Sequence, residues 1–153
     1  MEYGSLEREI HVEASPEVVF EVISRPEHIR EWWSDDADFG PGVGATGEIV
    51  FGDRAKADAK VVPLTVVDTR PPRFFSFRWA YGASEVAAVG NSLLVTFELV
   101  PTGSGTVVRL TETGFRERGW EAAVLEAHYK DHATGWDFHL AHLVEYVARL
   151  VSS

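Results

Sequence analysis

A single apolar stripe near the end of the chain limits the fold most. With about 100° of turn per residue and Trp136 as zero, Leu125, Tyr129, His132, Leu140, Leu143, Val147 and Leu150 all fall within about 40° of that zero. A helix with so long and narrow a stripe cannot bury it alone. It needs a broad apolar partner, and the face of a sheet supplies one. The matching strands lie upstream. Phe75, Phe77, Trp79 and Tyr81 repeat at every second residue, as do Leu93, Val95, Phe97 and Leu99, the alternation of strands buried on one face.

The remaining segments fit around that pair. Leu6, Arg8, Ile10 and Val12 share one side of a strand over residues 5–13. Ser15 then caps a helix with Pro16 in its first position and Val18, Val19, Val22 and Ile23 on its apolar face. Arg25-Pro26-Glu27 starts a second short helix carrying Ile29, Trp32 and Trp33. Asp35-Asp36-Ala37-Asp38 reads as a solvated acidic loop, followed by a Gly-rich loop over residues 39–47. Strands are expected over residues 47–51, 57–68 and 107–115, with turns at Gly52-Asp53, Arg70-Pro71-Pro72 and Thr102-Gly103-Ser104-Gly105. Residues 82–90 form a small-residue loop, and Gly135 permits a kink in the terminal helix. The order is strand, two short helices, a run of antiparallel strands, then one long helix. That order predicts an α+β fold, a curved antiparallel sheet of about six to seven strands wrapped around the C-terminal helix.

Composition narrows the function. A length of 153 residues predicts one domain over residues 1–153, and the lack of cysteine excludes disulfides and thiolate chemistry. Asp and Glu number 24 against 14 Lys and Arg, a formal charge of −10, which opposes binding to nucleic acid or to anionic lipid. No apolar run approaches the ~18 residues of a membrane span. Met1-Glu2-Tyr3-Gly4-Ser5 lacks the basic and apolar regions of a signal peptide, so a cytoplasmic location is expected.

Several blocks carry a family resemblance. Val12-Glu13-Ala14-Ser15-Pro16-Glu17-Val18-Val19-Phe20, with Pro26-Glu27-His28-Ile29 and Trp32-Trp33, resembles the opening of the START/Bet v 1-like (SRPBCC) superfamily. The branch it is most similar to comprises bacterial homologues of the activator of the 90-kDa heat-shock-protein ATPase. Val67-Asp68-Thr69-Arg70-Pro71-Pro72-Arg73-Phe74 with Phe77-Arg78-Trp79, Thr106 to Phe115, and Gly135-Trp136-Asp137 with Leu140 and Leu143 resemble three further blocks in the family's order. The similarity runs from about residue 6 to 150 and covers one such domain. It implies the helix-grip fold. For function it implies a superfamily of lipid carriers, hormone receptors, polyketide cyclases and oxygenase domains.

Candidate site residues follow from the faces. Glu112 shares parity with Val108 and Leu110, which aims its carboxylate inward as a general acid, base or ligand anchor, or as the partner of an Arg or a helix histidine. His128, His132, His139 and His142 crowd the terminal helix. His128 and His132 have the i, i+4 spacing of zinc ligands, but the intervening Tyr129-Lys130-Asp131 lacks the glutamate of a zinc-protease helix. No metal site and no cofactor are expected. No Gly-x-Ser-x-Gly elbow is present, and the glycines at 40, 42, 44 and 47 do not link a strand to a helix as a dinucleotide site requires.

The leading expectation is a small hydrophobic ligand held between sheet and terminal helix, in an internal pocket on the order of 300–1,000 Å³. Trp33, Phe51, Phe77, Trp79, Phe97, Trp136 and Leu140 would contact it, with Glu112, His132, His139 and Arg78 orienting it. Two alternatives stand beside it: a cavity enzyme of cyclase, hydratase or isomerase type using Glu112 with a helix histidine, and a stress-related or co-chaperone-like protein acting on a partner. Oligomeric state is left open.

Overall fold

Local signals set the elements. Ser15 accepts a hydrogen bond from the Val18 N–H at 3.4 Å and opens helix α1 (Pro16–Ser24), and Pro26 occupies the first turn of helix α2 (Pro26–Trp32). The Trp32 indole N–H donates to the Val22 carbonyl at 2.9 Å, which ties the second helix back onto the first. The computed structural model describes residues 3–82 and 84–152. Met1 and Glu2 of the leader reading, Ala83 of the small-residue loop and Ser153 lie outside them.

Seven strands form one antiparallel sheet: β1 (Ser5–Val12), β2 (Asp36–Phe39), β3 (Thr46–Phe51), β4 (Lys60–Arg70), β5 (Phe74–Trp79), β6 (Leu93–Pro101) and β7 (Thr106–Thr113). Their spatial order is β1-β7-β6-β5-β4-β3-β2. The helix α3 (Ala122–Ser152) runs unbroken through Gly135 and buries Trp136, Leu140, Leu143 and Val147 against the sheet. The structure is therefore the helix-grip α+β fold. Hydrophobic stripe and period-two strands meet because neither can be covered any other way.

Register decides what faces the helix. Val66 pairs with Phe77, Phe77 with Val95, and Val95 with Glu112, while Phe75, Phe97 and Leu110 form the next row. Phe75, Phe77 and Phe97 are each about 1% exposed, so each contributes roughly 1.5–3 kcal/mol through burial.

Two expectations are corrected here. The acidic segment at 35–38 is not a loop, since Asp36–Phe39 forms edge strand β2, pairing Ala37 with Ile49. Ala37 and Phe39 enter the core while Asp36 meets Arg30 and Arg54 at 3.2 and 3.1 Å, so alternation and ion pairing hold a strand that composition alone disfavours. Tyr81 also leaves the inward row. Ala80 has a φ of 63°, which breaks the alternation, and the Tyr81 hydroxyl lies 2.6 Å from Thr65 on the outer face of β4.

Candidate functional site

Glu112 sits at the inner end of β7 between Leu6 of β1 and Val95 of β6, with no exposed surface. A carboxylate between two apolar neighbours needs donors. Three converge on it. The Trp79 indole donates to Oε2 at 2.8 Å, and the Trp136 indole and His132 Nδ1 share Oε1, each at 2.9 Å. Indole N–H groups can only donate, so both carboxyl oxygens accept from them, and toward an ionised carboxylate, which has no proton to give, His132 Nδ1 can only be a third donor. Strand β5 delivers Trp79, and helix α3 delivers His132 and Trp136, four residues apart on one face.

The imidazole responds to its partner. Burial pulls His132 down, but the hydrogen bond and charge of Glu112, aided by Asp131, outweigh it and hold the ring above its ordinary value, with Lys60 opposing. The hydrogen bond therefore favours the protonated ring. His139, one turn past Trp136, behaves oppositely. Burial first and then the nearby His142 hold it below the ordinary imidazole value, with the Trp32 backbone and Asp35 pulling the other way. Its Nδ1 is buried with no hydrogen-bond partner among the described residues.

A cleft of about 230 Å³ opens beside this group, lined by Trp33, Trp79, His132, Gly135, Trp136 and His139, with Asp131 at its edge. Its walls are aromatic rings packed stacked, tilted and edge-on. Trp33 lies on Trp136 with centroids 5.1 Å apart and planes at 28°, and Trp79 is 5.1 Å from Trp33 and 5.5 Å from His132. Six of the eleven residues expected to hold or orient a ligand meet at this cleft or at the carboxylate beneath it: Trp33, Trp79, Glu112, His132, Trp136 and His139. Phe51 stands behind, 6.0 Å from Trp33 and 6.2 Å from His139.

The other expected positions are elsewhere. Phe77, Phe97 and Leu140 do not line the cleft; they are core residues with at most 2% exposure. Around them the large rings pack closely against one another between sheet and helix. Trp136 meets Phe97 edge-on at 6.2 Å, and Trp33 reaches Phe77 at 5.6 Å. Arg78 points to the opposite face, toward the Ser92 hydroxyl at 3.3 Å. Sequence reasoning passed over Gly135 as a site residue, although a mid-helix glycine beside Trp136 and His132 was a visible signal.

The remaining polar candidates are accounted for. His128 stacks on Trp120 at 4.1 Å, and His142 stands edge-on to Phe138 at 4.4 Å. His28 Nδ1 is 2.7 Å from the Tyr146 hydroxyl. Among the described residues no group of three or more His, Asp or Glu is arranged to hold a metal ion. No described helix is long and apolar enough to cross a membrane.

The family described as "Activator of Hsp90 ATPase homolog 1-like protein" matches residues 13–148 of the sequence. The chain belongs to that family. Among curated proteins, none matches the sequence. Solved structures show the same fold at low identity. A protein from Mesorhizobium loti is 24% identical with a TM-score of 0.75, covering 95% of this chain and 97% of its own. A protein from Nitrosomonas europaea is 15% identical with a TM-score of 0.80, covering 100% and 99%. The Aha1 dimer from Colwellia psychrerythraea is 21% identical with a TM-score of 0.69, covering 94% and 95%.

Proposed function

We propose that this member of the family binds a small hydrophobic molecule in the cleft between Trp33, Trp79, Trp136 and the Gly135 turn of α3. The observation that carries the reading is the meeting of three indole rings with one hydrogen-bonded pair, His132–Glu112, at a single opening. Ligand sites combine apolar walls with a few oriented polar groups, and here the edges of three indoles meet the polar atoms of His132, His139 and Asp131 in one cleft. At about 230 Å³ it suits a compact molecule, smaller than an internal cavity of the usual range would take. 2-Naphthol is a suitable probe, because a flat ring can lie on the indole faces and quench their emission. Saturable one-to-one quenching by the native protein, lost in Trp33→Ala, is expected. Unsaturable quenching, or quenching unchanged in that variant, overturns the reading.

The 2.9 Å bond between His132 and Glu112 supports a second reading, proton transfer to a substrate in the cleft. Its test is turnover of cyclisation, hydration or isomerisation substrates that disappears in His132→Asn. Family membership supports a chaperone partner, tested by adding the chain to the chaperone and measuring ATP hydrolysis.

A further inference from the structure

Gly135 lies near the middle of a 31-residue helix, where glycine weakens the helix relative to alanine. Two structural needs usually account for such a glycine: a left-handed backbone or the close approach of another group. Neither applies. Gly135 is helical and is not among the residues with positive φ. A Cβ built there would meet no atom within 4 Å outside its own turn of helix. Elsewhere in this chain the second need is plain: a Cβ at Gly47 would strike the Asp38 carbonyl, and one at Gly105 the Val12 carbonyl. The space in front of Gly135 is instead the cleft. His132 and His139 stand three residues before and four after it, so the three share one face of α3 and all line the opening.

We propose that Gly135 is a specificity-determining residue of the cleft, a side-chain-free step between two imidazoles on which the bound molecule rests against the helix backbone. The inference depends on the cleft being a ligand site and adds what shapes it. The helix gives up intrinsic stability at this residue, and the volume left open is the volume the ligand uses. Any side chain here would project into the cleft between His132 and His139 and shorten the reach to the Trp33, Trp79 and Trp136 walls.

The inference separates binding from stability in opposite directions, which a purely structural glycine cannot do. Wild type, Gly135→Ala and Gly135→Leu are compared by urea unfolding and by titration with 2-naphthol, with exposed Thr134→Ala as a control one residue away. Both Gly135 variants should shift the urea midpoint upward. Binding should weaken in Gly135→Ala and fall by about tenfold or more in Gly135→Leu, the scale on which one added group discriminates in an apolar pocket. Thr134→Ala should leave binding unchanged. If wild type does not bind the probe, the cleft reading falls and this inference with it. If wild type binds and Gly135→Leu binds equally well, the inference alone is overturned. A lower urea midpoint in Gly135→Ala also overturns it, because the glycine would then serve the fold.

Discussion

Replacing Glu112 by leucine removes the acceptor shared by three buried donors without changing the size of the side chain much. The two indole N–H groups of Trp79 and Trp136 would lose their partner in a site with no exposed surface at residue 112. An orphaned buried donor costs about 1–3 kcal/mol. His132, whose side chain is 15% exposed, can lose its proton and relax toward the cleft, so its share is smaller. The total expected for Glu112→Leu is about 3–5 kcal/mol, the range for breaking a buried ion pair on one side. Glu112→Gln keeps one oxygen for the two donors at Oε1 and turns its amide toward Trp79, which leaves one donor unmet and a cost of about 1–3 kcal/mol. Urea unfolding followed by tryptophan emission measures both, and a constant slope with denaturant keeps the comparison valid. Adding His132→Leu to Glu112→Leu should cost less than His132→Leu does alone, with a coupling of about 0.5–3 kcal/mol. A loss below about 1 kcal/mol in Glu112→Leu would refute the claim that one carboxylate organises this end of the core.

The two cleft histidines should give stability a maximum with pH. His132 is raised in the fold, so its contribution is complete below the free imidazole value of about 6.5 and is lost as pH climbs through its folded value. His139 is lowered, so the fold loses stability as pH drops below about 6.5 toward its folded value. Urea midpoints across pH should peak near that value, with His132→Asn flattening the alkaline limb and His139→Asn the acid limb; limbs unchanged by these variants would disprove the assignment. Phe97→Trp should destabilise by about 1–3 kcal/mol through overpacking, because Trp32 and Trp136 already meet the Phe97 ring edge-on at 6.4 and 6.2 Å. A neutral result in thermal melting would mean that the space between sheet and helix is not filled. Gly47→Ala should lower the melting temperature clearly, since its methyl would meet the Asp38 carbonyl across the β2–β3 pair, and an unchanged melt would contradict that register.

Periodicity made most of the fold legible. The stripe around Trp136 and the alternating rows of β5 and β6 depend only on which neighbours share a face, and side-chain spacing records that directly. Strand β2 escaped because Asp36 and Asp38 disfavour a strand, and the ion pairs that stabilise one come from Arg30 and Arg54, remote in sequence from each other. Tyr81 escaped because a single positive φ at Ala80 leaves no compositional mark. The inward aim of Glu112 and a helix histidine as its partner were both readable. The two indole donors were not, since which way an indole N–H turns depends on ring packing in three dimensions. The same packing explains why an internal cavity was expected. Alternation shows where large rings face, while only their mutual tilt shows whether they leave a gap.

The indole array has an optical consequence. Trp32 lies 6.0 Å from Trp33, which lies 5.1 Å from both Trp79 and Trp136. Transition dipoles at such separations exchange excitation, so these four rings absorb as a coupled chromophore while Trp120 stands apart on His128. The far-ultraviolet circular dichroism of the native protein will therefore carry exciton bands superimposed on the amide signal, and helix content taken from it will disagree with the true length of α3. Two of the coupled rings donate to the Glu112 carboxylate, so the same bands will follow the protonation of His132 and report on the cleft without any added label.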